Sequence, residues 1–429
     1  MCRLILYFAR LALSLHRISI PVTMYKVRYI IFLVFLLVLS YPIGKASGIN
    51  IESVDGNTED IIMGADRIDI IKKLARNKRV GLIANQTSVL SNGEHLLDAL
   101  LDAGLDVRKV FAPEHGFRGI EDAGAAVRNS RDSKTGVPIV SVYGNNNKPT
   151  VSQLSDIDIL IFDIQDVGTR FYTYISTMHY AMEACAENGK EFVVLDRPNP
   201  NDYIDGPVRK KGFTSFVGVD PIPVLHGLTV GELARMINGE GWISTGRKSC
   251  KLTVVPMRNW QHGDPYSLPI KPSPNLPNDI SVQLYPSLCF FEGTNISVGR
   301  GTLMPFQVLG GPHRKYGEYT FTPQSIKGMD NNPMYKGKTC YGVDLRNEEF
   351  EGGLSLRFII SFFRKSGYNE KEFFLRANFF DLLAGTDALR LQIIKGFSEE
   401  EIRESWKDEL REYKIMRKKY LIYDDYRIP

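Results

Sequence analysis

Carboxylates, guanidinium groups and amides recur in this chain at the ends of short apolar runs. Asn85, Gln86 and Thr87 follow the run 80–84, and Glu114, His115 and Arg118 follow 107–112 within Pro113-Glu114-His115-Gly116-Phe117-Arg118-Gly119. Asp163, Gln165, Asp166, Arg170 and Tyr172 crowd the end of the run that starts at Ile157, and Asp196, Arg197 and Asn199 close another that starts at Phe192. Further on, Phe291 to Thr302 sets Glu292, Asn295 and Arg300 among three glycines, where backbone can approach a ligand closely. Taken singly, these residues have structural uses: Asp163 could cap a helix and Arg197 could pair with Asp196. Taken together they point to a polar substrate, because acids and arginines at several neighbouring strand ends exceed what loop closure needs. Two placed carboxyl groups can hydrolyse a glycosidic bond without a metal or cofactor. No cofactor or metal is implied. There is no G-x-S-x-G elbow, no H-E-x-x-H, no EF-hand loop and no G-x-G-x-x-G after a strand.

The elements that would position these groups follow from periodicity. Between residues 78 and 256, apolar runs alternate with amphipathic stretches, the pattern of βαβ units and a parallel sheet. Strands are expected over Val80–Ala84, Val107–Ala112, Ile157–Asp163, Phe192–Asp196 and Leu252–Val255, and helices over Gly93–Ala103, Tyr174–Asn188 and Thr229–Asn238. Thr229 and Glu232 have capping-box spacing. Ligands of open parallel sheets sit at the carboxyl ends of the strands, where the polar residues lie. Leu268 to Pro277 contains four prolines, and beyond it the texture becomes mixed, closing on a charged helix over Ser398–Lys419. The expected organisation is an extension and leader over 1–46, a parallel-sheet α/β domain over 49–278 and a smaller α+β domain over 279–429 that completes a cleft. Lys271-Pro272-Ser273-Pro274-Asn275 would contribute to the second wall.

Lys26 and Arg28 precede an apolar run, Ile30 to Leu39, followed by Pro42, Gly44 and Ala46. That is the pattern of a secretory leader starting at Met24 and cleaved after Ala46. The run is about half of the roughly 20 residues a spanning helix needs, so export to the periplasm or medium without a stable membrane anchor is the expectation. No cysteine follows it to carry a lipid. The formal charge of +4 has no long basic run, so no nucleic-acid partner is indicated. Cys185, Cys250, Cys289 and Cys340 form no C-x-x-C pair.

The motifs PEHGFRG, FDIQDVGTRFYTY, LDRPNP, HGLTVGELA, PSPN and FEGTNISVGRGT, with the closing RKKYLIY, resemble the exo-β-N-acetylmuramidase family, a glycoside hydrolase family (NamZ-like) formerly known as a domain of unknown function. The resemblance runs in order from about Arg79 to Tyr423. It implies a Rossmann-like N-terminal domain joined to a smaller α+β domain, with the site between them. It also implies an exported enzyme that releases N-acetylmuramic acid from non-reducing ends of peptidoglycan-derived saccharides. By motif, Glu114 becomes the leading catalytic residue and Glu292 its partner, with Asp166 as the alternative second carboxylate. Asn85, His115, Tyr172, Asp196, Arg197, Asn199, His226, Asn275 and Asn295 become substrate-binding candidates. The lactyl carboxylate of muramic acid calls for an arginine, with Arg118, Arg170 and Arg300 as the candidates. Two other readings stand beside this one: a non-catalytic binder of muropeptides or sugars, and an enzyme on a related amino sugar or peptide.

Overall fold

The computed structural model describes residues 60–117, 129–144, 147–243, 249–350 and 352–425. The expected leader, the extension before it and Arg118 lie outside the described residues. The chain opens with α1 (Ile68–Leu74), β1 (Arg79–Ala84), α2 (Leu96–Asp102), β2 (Asp106–Ala112), β3 (Ser130–Arg131), β4 (Pro138–Ser141), α3 (Val151–Leu154) and β5 (Ile159–Asp163). It continues with α4 (Tyr174–Asn188), β6 (Glu191–Leu195), β7 (Ile204–Asp205), β8 (Leu225–His226), α5 (Val230–Gly239) and β9 (Lys251–Val255). Among the described residues, seven strands form one sheet in the order β3-β4-β2-β1-β5-β6-β9. All its pairings are parallel except that of β3 with β4.

Central strands explain their own sequences. Every residue of β5 is buried, because helices cover both faces of a parallel sheet and leave no solvent side to alternate with. Edge strand β9 instead alternates exposed and half-buried positions up to Val255. One core cluster packs α4 and α5 against one face through Phe162, Met178, Phe192 and Leu233, and continues into the C-terminal region through Phe290, Phe363 and Phe380. Leu82, Leu97, Val110 and Ile161 build a second cluster on the other face. At the head of α5, Thr229 Oγ1 accepts from Glu232 N (3.2 Å) and the Glu232 carboxylate accepts from Thr229 N (3.0 Å), the reciprocal cap its spacing indicates.

The second region begins with α6 (Asp279–Leu288) and a short 3₁₀ turn, Cys289–Gly293. A three-stranded antiparallel sheet follows, β10 (Val308–Gly311), β11 (Tyr319–Phe321) and β12 (Cys340–Asp344), with β12 central. Then come α7 (Arg357–Lys365), α8 (Glu370–Phe373), α9 (Ala377–Ala384), α10 (Ala388–Ile394), α11 (Glu399–Glu404) and α12 (Lys407–Lys418). The single closing helix expected over Ser398–Lys419 is therefore two. Ser405 returns its hydroxyl to the Ile402 carbonyl and Trp406 is buried outside helical geometry, which ends α11. Cys185, Cys250, Cys289 and Cys340 are buried free thiols.

The chain end returns to the parallel sheet. Ile422 N–H donates to the Glu232 carboxylate at 2.8 Å and Tyr423 Oη to Asp196 at 2.7 Å. Arg417, wholly buried, donates to the Gly227 carbonyl and pairs with Asp425 at 2.8 Å. His262 bridges Asp202 and Glu232, both at 3.0 Å. Among the described residues no helix is long and apolar enough to cross a membrane.

Candidate active site

Strand order places the topological switch between β1 and β5, where a crevice for ligand is expected. That crevice is filled from within. Ser88 donates its hydroxyl to the Asp163 carbonyl, and Gln165 N–H donates to Thr87 Oγ1 at 3.0 Å. Asn85 is wholly buried, its Oδ1 accepting from the Thr87 amide and hydroxyl. Two loops tied together in this way narrow the crevice, and most polar groups shut between them find partners there, though Asn85 Nδ2 and Asp166 Oδ1 have none among the described residues. Asp163 takes a bidentate guanidinium from Arg197 (2.6 and 2.9 Å), where the sequence pattern offered Asp196 as the partner of Arg197. Asp196 instead accepts from Thr229, Gly231 and Tyr423. Burial, reinforced by the nearby Glu232 charge, lifts its pKa to about 6 against those hydrogen bonds. Asp166 takes the Gly168 N–H at 2.7 Å and lies 3.4 Å from buried His226. Asn199 donates to the Leu228 carbonyl.

The opening lies one strand over, toward β2 and β4. A cavity of about 610 Å³ is lined from several segments of the chain. The β2 and β4 ends give Glu114, His115 and Tyr143; the loop after β5 and the start of α4 give Phe171 to Tyr174; the proline-rich connector gives Ser273 and Asn275; and the second region gives Glu292, Arg300 and Arg376. Glu114 sits in a turn closed by Gly116 N–H to the Pro113 carbonyl (3.0 Å), with His115 at φ 66 in the left-handed region. His115 Nε2 lies 3.2 Å from Ser273 Oγ across the cleft, a contact that helps hold this uncommon backbone conformation.

Both oxygens of Glu114 are engaged by hydroxyls. Tyr143 Oη donates to Oε1 at 2.8 Å and Thr173 Oγ1 to Oε2 at 3.0 Å, while Tyr174 Oη reaches the Glu114 carbonyl at 3.3 Å. Burial first, then the Glu114 charge and hydrogen bond, push the Tyr143 phenol well above its usual range, so it stays protonated. Hydroxyls both donate and accept, so this cage fits Glu114 as carboxylate or as acid. Glu292 is held differently. Arg300 Nε is 2.5 Å from its Oε1, and although burial opposes the Arg300 charge, the Glu292 carboxylate outweighs it and raises the Arg300 pKa. One wall thus carries a carboxyl group held by two hydroxyls, and another an ion-paired carboxylate, two different environments of the kind that acid and base roles need.

Of the residues singled out in the sequence, the cavity gathers Glu114, His115, Tyr172, Asn275, Glu292 and Arg300. Asn85, Asp166, Asp196, Arg197, Asn199, His226 and Asn295 do not line it, and Arg118 is outside the described residues. Arg170 is 1% exposed and spends its guanidinium on the carbonyls of Pro207, Ile222 and Leu383, so it braces the loops rather than facing the cavity. Tyr143, Thr173, Asp330 and Arg376 went unnoticed in the sequence. Tyr143 follows β4 as Glu114 follows β2, so the strand-end rule would have found it had β4 been read as a strand. A second cavity, about 620 Å³, lies by Asp202, Tyr266 and Asp279. Its acids are tied internally, Asp202 to His262 and Asp279 to Ser267.

Residues 80–280 match the family description "Exo-beta-N-acetylmuramidase NamZ, N-terminal", and 283–423 match its C-terminal counterpart. This chain belongs to the NamZ exo-β-N-acetylmuramidase family. A Bacillus subtilis (strain 168) relative, named peptidoglycan beta-N-acetylmuramidase NamZ, is 43% identical over 375 residues, covering 82% of this chain and 88% of that protein. Two crystal structures of DUF1343 family proteins from Bacteroides fragilis NCTC 9343 share the NamZ-type α/β fold. They superpose with TM-scores of 0.78 and 0.73 at 45% and 32% identity, each covering 85% of this chain and 99% of the other. The cavity takes residues from both NamZ segments: Glu114 stands in the first and Glu292 in the second.

Proposed function

We propose that the chain hydrolyses the β-glycosidic bond of N-acetylmuramic acid, releasing that sugar from the non-reducing end of peptidoglycan fragments. The observation that carries this reading is Glu114 in its Tyr143 and Thr173 hydroxyl cage, sharing one cavity with the Glu292–Arg300 pair. Family membership and the activity named for the B. subtilis relative point the same way. Glu114 donates the proton to the leaving oxygen and recovers it from water. Glu292, paired with Arg300, is the carboxyl group set opposite the oxocarbenium-like transition state. Tyr143 and Thr173 hold Glu114 in register through both protonation states. Assaying a chromogenic β-N-acetylmuraminide beside the matching β-N-acetylglucosaminide is the test. Faster turnover of the muraminide is expected; equal turnover, or none, would overturn the reading.

The enzyme acts outside the cytoplasm in this proposal, on the strength of the Lys26 to Ala46 leader pattern. N-terminal sequencing of exported material should begin near Ser47, and full-length protein retained in the cytoplasm would count against it.

A further inference from the structure

The cavity holds more positive charge than the chemistry uses. Its lining includes the acids Glu114, Glu292 and Asp330 and two arginines, Arg300 and Arg376. Arg300 is neutralised by Glu292 and also lies over the Phe306 ring. Its Nη1 is buried with no hydrogen-bond partner among the described residues, and with the charge already balanced this donor suits a neutral oxygen, such as a sugar hydroxyl or acetamido carbonyl.

Arg376 is in a different state. Its guanidinium lies 4.3 Å from the Phe379 ring centroid, and Nη1 donates to the Glu292 main-chain carbonyl at 3.4 Å. No carboxylate pairs with it among the described residues. Its backbone is fixed, with Arg376 N–H on the Gly293 carbonyl (2.9 Å) and the Arg376 carbonyl taking Phe380 N–H (3.0 Å). A stacked, backbone-anchored guanidinium loses little freedom on binding, and its planar fork matches a carboxylate.

Muramic acid differs from glucosamine in its lactyl ether, which ends in a carboxylate. Such an anion enters a cavity already lined by acids, so it must meet a cation that is not spoken for. We propose that Arg376, rather than Arg300, reads the lactyl carboxylate and sets the preference for muramic acid over glucosamine. The assignment rests on the muramidase reading above. Arg376 is exposed at the mouth of the cavity, so its effect is moderate and weakens with salt.

The test compares kcat/KM for a chromogenic β-N-acetylmuraminide and for its lactyl methyl ester, which keeps the shape and removes the charge. In the wild-type full chain the acid should be favoured about tenfold or more at low salt, as for one charge-assisted contact, with the ratio shrinking as salt rises. Arg376→Ala should bring the ratio close to one, and Arg376→Lys should keep part of it as a point charge. Arg376→Gln, which keeps part of the stem and an amide donor without the charge, gives the same reading should the Ala variant not fold. A folded Arg376→Ala or Arg376→Gln enzyme with the wild-type ratio overturns the assignment, as does a ratio lost only in Arg300→Ala. Wild-type enzyme that turns over neither muraminide marks failure of the proposed function itself.

Discussion

Tyr143→Phe isolates one atom of the Glu114 cage. The hydroxyl it removes lies 2.8 Å from Glu114 Oε1, and the ring it keeps retains its packing on Phe216 at 5.9 Å between centroids. Stability should therefore fall by no more than about 0.5 to 1.5 kcal/mol, which leaves the enzyme folded. A hydrogen bond to a charged group contributes roughly 1.5 to 3 kcal/mol in a buried setting. Glu114 is only half-buried and water can partly replace the lost donor, so about 1 to 2 kcal/mol of transition-state stabilisation is the expected loss. That converts to a kcat reduced about 5- to 30-fold. Thr173→Val does the same at Oε2 and leaves helix α4 intact, because Thr173 makes no side-chain capping bond there. The two substitutions act on one carboxyl group, so the double variant should depart from additivity. The assay is steady-state hydrolysis of the muraminide, with kcat separated from KM and thermal unfolding run alongside. Folded Tyr143→Phe and Thr173→Val enzymes with wild-type kcat would refute the cage as a catalytic device.

Glu114→Gln keeps the shape and removes the proton, so turnover should drop on the order of a hundredfold or more while the fold persists, checked by kcat and circular dichroism. Gly168 has φ 73, and a Cβ there would meet Asn199 Oδ1 at 2.0 Å; Gly168→Ala should lower stability by about 3 kcal/mol or more in chemical denaturation. Burial alone would lower the His262 pKa, but its bonds to Asp202 and Glu232 outweigh that and raise it to about 9. Its contribution is thus complete below the ordinary histidine range and lost as pH rises through about 9. The urea midpoint should fall between pH 7 and 10, and His262→Gln should flatten that slope. Asp196, raised to about 6, adds a loss of the same sign at lower pH, between the usual carboxylate range and pH 6.

The strands β1, β2, β5, β6 and β9 stood out in the sequence because burial on both faces leaves continuous apolar runs. Strand β4 did not, since four residues with one fully buried carry too little pattern. The lining of the candidate cavity was legible where a strand end met the motif resemblance, at Glu114, and in the glycine-rich segment with Glu292 and Arg300. Polarity misled at Arg170, Arg197 and Asp196, because side chains that satisfy a buried loop look the same in sequence as side chains that meet a ligand. Only the third dimension separates them: Arg197 faces Asp163 and Arg170 faces three carbonyls. Arg376 carried no signal at all, lying in an ordinary stretch just before α9.

The return of the chain end to the parallel sheet also bears on the order in which the molecule can be made. Glu232 and Asp196 belong to segments synthesised early, yet they receive hydrogen bonds from Ile422 and Tyr423, and Asp424 supplies the carbonyl that takes the His262 N–H at 2.9 Å. Until those residues dock, the buried acids lack their last donors, and part of the cost of shutting them away is left uncompensated. Residues 422–424 therefore complete the polar shell of a sheet laid down some two hundred positions earlier in the chain, so the folding of that sheet depends on contacts of very long sequence separation.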